Sequence, residues 1–190
     1  MRLFVAVYPP PSAVAELTAR VARLRVGTAT AAGLDVRLAV PAHLHVTLAF
    51  LGEVEAGRLP EVADALGSAA GTARAGWDRP PRLRLGGGGR FGQGRSTVLW
   101  VDVQGEVAAL RTLARLIRAE LRRTGLPYDG KPFRPHLTVA RPGDRLDPSE
   151  VDADRLALDD HTGQWWPATG MVLVHSRPGP RYTPLASWPL

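Results

Sequence analysis

Apolar and polar positions alternate from Arg2 to Tyr8, which predicts a strand, and the prolines at 9–11 close it. Val14, Leu17, Val21 and Leu24 then recur at helical spacing, with Pro10 or Pro11 in the first turn and Gly27 as the stop. The pattern predicts a short strand over Leu34–Val40 and a strong one over His43–Leu51, closed by Gly52. Leu59, Val62, Leu66 and Ala69 mark a second helix. Leu83–Phe91, with its glycine run at 86–89, reads as a bulged strand or a flexible turn, and Thr97–Val103 as another strand. Val107, Leu110, Ala114, Ile117 and Leu121 mark a long helix ending at Gly125. Pro135–Ala140 is a further strand and Arg141–Ser149 a loop, with late strands over Trp166–Ser176 and Tyr182–Trp188. Several strands follow one another without an intervening helix, which argues for an α+β fold over a doubly wound parallel sheet.

Composition narrows the chemistry. The 190 residues are 45% hydrophobic and 22% charged, which suits a folded domain able to bury a core. There is no cysteine, so disulfides, a cysteine nucleophile and cysteine-bound metal are excluded. No apolar run approaches the roughly 20 residues of a membrane span, and the short apolar opening does not read as a signal peptide. The expectation is a cytoplasmic protein with no membrane partner. Lys and Arg total 24 against 18 Asp and Glu, for a net charge of +6, and Lys131 is the single lysine. Arginine forks onto phosphate. The abundance of Ala, Gly, Arg and Pro throughout also fits a GC-rich coding sequence. The phosphate reading is therefore kept for arginines near a site.

The chain contains an internal repeat. His45-Val46-Thr47-Leu48-Ala49-Phe50-Leu51-Gly52-Glu53 matches His136-Leu137-Thr138-Val139-Ala140-Arg141-Pro142-Gly143-Asp144 in its His, Thr, Ala and Gly, with an acid after each glycine. Pro41 and Pro132 each stand four residues before the histidine. Two lobes related by an approximate two-fold axis are the natural reading. On a strand, residues two apart share a face. His45, Thr47 and Ala49 would then share one face, with Val46, Leu48 and Phe50 packed on the other. His136, Thr138 and Ala140 would repeat the arrangement. Two such rows facing each other make a cleft with two imidazoles and two hydroxyls.

That set suits displacement at phosphorus. An imidazole titrates near pH 6.5, so one neutral and one protonated ring can serve as base and acid in a single step. Threonine hydroxyls can hold the non-bridging oxygens. A lone His-x-Thr carries little information, but two copies with matching flanks are hard to explain by packing alone.

These motifs resemble those of the 2H phosphoesterase superfamily. The flanking blocks resemble its RNA 2',3'-cyclic phosphodiesterase family, also called the 2'-5' RNA ligase family. Those blocks are Arg2–Val7, His45–Gly52, Gly89–Gly92, Val98–Trp100, Pro135–Arg141 and Tyr182–Leu185. The resemblance implies a bilobed α+β fold over residues 1–190, a single domain with motifs at 45–48 and 136–139. It implies metal-independent opening of an RNA 2',3'-cyclic phosphate to a 2'-phosphate, without a cofactor. It carries His45 over as proton donor and His136 as proton acceptor, with Thr47 and Thr138 as phosphate ligands. The near-symmetry of the repeat makes either imidazole eligible for either role.

Further candidates surround the motifs. Arg134 stands two residues before His136 and is a candidate phosphate or ribose contact. Arg141 recurs in the family, although strand parity sets it opposite His136 unless the strand bulges. Phe91 could stack on a base at the cleft mouth or anchor a hairpin. His43 is read as supporting, and His161 and His175 as not catalytic. The expected partner is RNA bearing a cyclic phosphate end, and the expected state is a monomer. Competing readings are 2'-5' ligation at the same site, a non-catalytic module holding RNA ends, and a zinc site of His43, His45 and His136.

Overall fold

The computed structural model describes residues 1–179 and 181–190. Strand β1 (Arg2–Val7) leads through Pro11, the first helical residue, into α1 (Pro11–Val21). Next come α2 (Arg25–Ala31), a single 3-10 turn at Pro41–His43, β2 (Val46–Glu53) and α3 (Leu59–Ala75). The middle of the chain forms β3 (Arg82–Phe91), β4 (Val98–Gly105), α4 (Val107–Arg123) and β5 (His136–Ala140). The chain finishes with α5 (Pro148–Asp159), β6 (Trp166–Pro167), β7 (Gly170–Arg177) and β8 (Arg181–Pro189). The fold is α+β.

The strands form two four-stranded antiparallel sheets, ordered β2-β1-β7-β8 and β5-β4-β3-β6. Each motif strand is the edge strand of its sheet. The two lobes are not successive halves of the chain, because β7 and β8 return to the first sheet. Helices cross as well. α4 follows β4 yet packs on β2 and α3, and α1 follows β1 yet packs on β3. This interleaving ties the two motif strands into one body. The buried stripe of α4 is Leu110, Leu113, Ala114, Ile117 and Leu121. Each large side chain there contributes about 1.5–3 kcal/mol by leaving water.

Several expectations need correction. α1 stops at Val21, and a separate α2 runs through Gly27 instead of ending there. Buried Asp154 makes this possible, because its two carboxylate oxygens accept from Arg25 N–H and Val26 N–H at 2.9 Å each. Leu34–Val40 is not a strand but a single bridge, Leu38 to Ala140, with Arg37 at φ 49°. Through Ala39 N–H to Val139 O (2.9 Å) and Arg141 N–H to Arg37 O (3.1 Å), this segment covers the free edge of β5. The 141–149 loop ends early, since α5 begins at Pro148. Its start is a capping box in which Asp147 and Glu150 exchange side-chain and backbone bonds. Trp166–Ser176 divides into two strands that belong to different sheets.

The glycine run is a bulged strand and not a flexible turn. It lies inside β3, where a Cβ on Gly89 would overlap the indole of Trp100 and one on Gly88 would overlap the backbone of Arg155 in α5. Glycine there lets a buried indole and a helix approach the sheet. No helix among the described residues is long and apolar enough to cross a membrane.

Candidate active site

Both motif histidines sit at the mouth of an edge strand and are oriented identically. His45 precedes β2, and its Nδ1 lies 2.6 Å from the carbonyl oxygen of His43 in the 3-10 turn. His136 opens β5, and its Nδ1 lies 2.8 Å from the carbonyl oxygen of Arg134. A carbonyl can only accept, so in each ring Nδ1 carries the proton and Nε2 is left for chemistry.

Each ring is held by aromatic walls. His45 stacks on Phe4 at 4.8 Å and 27°, and meets Tyr182 edge-on at 5.5 Å. His136 meets Phe91 edge-on at 4.9 Å and lies 5.7 Å from buried Trp100. Alternation along β1 explains the first wall. Leu3, Val5 and Val7 join the main core, while Phe4 and Ala6 face the other way and cluster with Val174, Tyr8 and Tyr182.

The two strands bulge at the same place in the repeat. Thr47 and Ala49 oppose the consecutive residues Ala6 and Val5, and Thr138 and Ala140 oppose Trp100 and Leu99. One extra residue, Leu48 or Val139, is accommodated in each strand. A bulge reverses the parity of every later residue in its strand. Phe50 and Arg141 occupy equivalent positions three residues past the threonine, and both turn into the cleft. The packing expected for Phe50 is therefore corrected: the residue is 47% exposed. Arg141 reaches the side of His136, as strand parity allows once the strand bulges. Beyond the bulges, Gly52 (φ 74°) and Gly143 (φ 60°) both adopt the left-handed turn that favours glycine, which accounts for their place in the repeat.

The resulting cleft has a volume of about 640 Å³. His45, Thr47, His136, Thr138, Phe91 and Arg141 all line it, so the structure brings together six of the seven residues singled out from the motifs. Arg134 stands just behind the wall, with its guanidinium 4.5 Å above Trp100 and 5.4 Å from Phe91. His43 also lines the cleft, but its carbonyl does the orienting. His161 and His175 do not line it. Sequence reasoning missed Arg2, Arg37 and Tyr182 as lining residues. The alternation of β1 signals Phe4, whereas Arg37 depends on the bridge to β5, which no local pattern announces.

Electrostatics favour neutral rings. Burial holds His45 below the ordinary histidine value; the His43 carbonyl opposes this, and charge on His43 and His136 adds to it. Burial also lowers His136. The Arg134 carbonyl and Asp102 oppose the shift, and the charges of Arg134 and Arg141 add to it. Among the described residues, no three His, Asp or Glu side chains gather as metal ligands would.

The family model of the 2'-5' RNA ligase superfamily matches residues 9–175. The chain belongs to that superfamily, in its RNA 2',3'-cyclic phosphodiesterase family. An RNA 2',3'-cyclic phosphodiesterase of Thermus thermophilus is 32% identical over 203 aligned residues, covering 100% of this chain and 90% of the relative. One from Geobacillus stearothermophilus is 31% identical over 147 residues, or 77% of this chain, and that match spans 45% of the relative's length. A crystal structure of Escherichia coli LigT with 3'-AMP superposes with a TM-score of 0.69 at 25% identity, covering 100% of this chain and 97% of the other. The two-sheet architecture is thus that of the 2'-5' RNA ligase superfamily.

Proposed function

We propose that this chain hydrolyses RNA 2',3'-cyclic phosphate ends to 2'-phosphates, using His45 and His136 as an acid–base pair without a metal. One observation carries the reading: two imidazoles, each with Nδ1 tied to the carbonyl two residues earlier, border one cleft with Nε2 uncommitted. Family membership supports the substrate class.

Bonds and protons balance in one displacement. Neutral His136 takes a proton from water at Nε2 as the water oxygen bonds to phosphorus. The bond from phosphorus to the 3'-oxygen breaks, and protonated His45 gives its Nε2 proton to that oxygen. A 2'-phosphate and a free 3'-hydroxyl result. The donor and acceptor roles rest on the family resemblance, since the geometry is nearly symmetric. Thr47 and Thr138 hydroxyls hold the non-bridging oxygens, and Arg141 offsets their charge. Phe91 offers a face to the base, and Arg134 holds the His136 loop against Trp100. Both lobes act as one catalytic unit spanning residues 1–190.

The test is turnover of a short RNA ending in a 2',3'-cyclic phosphate with EDTA present. The expected product is the 2'-phosphate. Activity that disappears with EDTA and returns with zinc would replace this reading with a metal site built on His43, His45 and His136.

A further inference from the structure

Outside the cleft, the most concentrated charge lies on α4. Arg111, Arg115, Arg118 and Arg122 recur at spacings of four, three and four residues, which aligns them along one face beside the buried stripe. Together with Phe133 they line a groove of about 280 Å³. The row from Arg111 to Arg122 is about 16 Å long at the rise of an α-helix. Arg123, on a different face, pairs with Glu120. Among the described residues, none of the four groove arginines has a carboxylate within ion-pair distance. A composition effect scatters single arginines along the chain, and seven of the others pair with a carboxylate. Four aligned on one helical face depart from that scatter.

The groove also leads to the cleft. Arg118 donates to the Lys131 carbonyl at 2.7 Å, and Arg122 donates to the Tyr128 hydroxyl at 2.8 Å. They pin the loop that runs from Tyr128 to His136. Asp129 N–H in that loop donates to the carbonyl of Phe50, a cleft residue. Phe133 lies in the groove, and the next residue, Arg134, sits over Trp100 and Phe91 beside His136. The loop therefore joins Phe133 in the groove to His136 at the cleft.

We infer that this groove is a second binding site, which holds the phosphates of the RNA strand whose cyclic end lies in the cleft. The inference rests on the RNA reading of the cleft. Four guanidiniums supply phosphate contacts, and the Phe133 ring supplies a surface on which a base can stack. The consequence is a preference for oligonucleotides over cyclic mononucleotides, expressed in affinity and in salt dependence.

Arg111→Ala/Arg115→Ala is the informative variant, because both residues are exposed and neither pins the loop. Three quantities are measured: affinity for a labelled single-stranded oligoribonucleotide ending in a 2'-phosphate, its dependence on salt, and turnover of a mononucleoside 2',3'-cyclic phosphate. The expected losses are on the order of tenfold in oligonucleotide affinity and about 1.4 in the slope of log affinity on log salt, two contacts at about 0.7 each. Mononucleotide turnover and the thermal midpoint stay at the wild-type level, and Arg111→Lys/Arg115→Lys restores most of the affinity. Unchanged oligonucleotide affinity, an equal loss on the mononucleotide, failure of the lysine pair, or preference for anionic vesicles over RNA would each overturn the groove. Mononucleotide turnover by the wild type reports on the cleft alone, and RNA affinity reports on the groove whether or not the cleft turns over.

Discussion

His45 and His136 are set by the same hydrogen bond. Each donates from Nδ1 to the carbonyl oxygen two residues before it, at 2.6 and 2.8 Å. The bond selects the tautomer, fixes the ring plane and leaves Nε2 at the cleft. It comes from the bend before each motif strand, where the backbone of residues 43 and 134 turns an oxygen back toward the ring.

This arrangement dictates the pH profile. Burial is the main reason both rings lie below the ordinary value of about 6.5. Catalysis needs one ring protonated and the other neutral. As pH rises through the value of the acid, the proton donor is lost, and as pH falls through that of the base, the acceptor is lost. A plot of kcat/KM against pH is therefore bell-shaped with its maximum below about pH 6.5. A plateau extending to alkaline pH would contradict the pairing.

Stability should track the same shifts with the sign of a lowered histidine. His45, His136 and His161 are all lowered, with burial the leading cause in each. The unfolded chain takes up these protons near pH 6.5, before the folded protein does. The stabilisation is complete above about pH 6.5 and is lost as pH falls toward the folded values. Thermal midpoints measured at steps from neutral to mildly acidic pH should be flat and then decline.

Arg134 adds to the lowering of His136 through its charge, while its backbone carbonyl opposes it. Arg134→Gln removes the charge and keeps the carbonyl. The His136 value should rise, with His45 unchanged, in an NMR titration of the ring protons. The alkaline limb of the rate profile should stay in place and the acidic limb move up. Arg134→Lys should keep the charge and lose the planar stacking on Trp100, so kcat/KM falls with a smaller titration shift.

Gly89 is required for space. Gly89→Ala places a methyl group inside the Trp100 indole, which flanks His136 and supports Arg134. The indole must move, at a cost of about 1–3 kcal/mol in stability. Activity should fall more than the melting temperature alone explains. An active variant with an unshifted His136 would show that the wall does not position the ring.

Legibility in the sequence tracked the range of the interactions. The repeat was legible because His, Thr, Ala and Gly recur at fixed offsets, and those residue types carry the chemistry themselves. The long helices α3 and α4 were legible from periodicity. The bulges were not, because a bulge exists only relative to the strand opposite, and so Phe50 was placed on the wrong face. The 34–40 segment was misread because its backbone partners lie about a hundred residues away, on β5. α5 was missed although Asp147, Pro148 and Glu150 spell a helix start, a local signal that outweighs the polar composition around it.

The central claim is that two imidazoles share the proton transfers. The most direct test measures kcat on an RNA 2',3'-cyclic phosphate for His45→Ala and His136→Ala, alongside affinity for the 2'-phosphate product. Each substitution should lower kcat by about 10²–10⁴-fold. Product affinity should stay within a few-fold of wild type. Retained turnover in either variant, or loss of affinity without loss of kcat, would contradict the account.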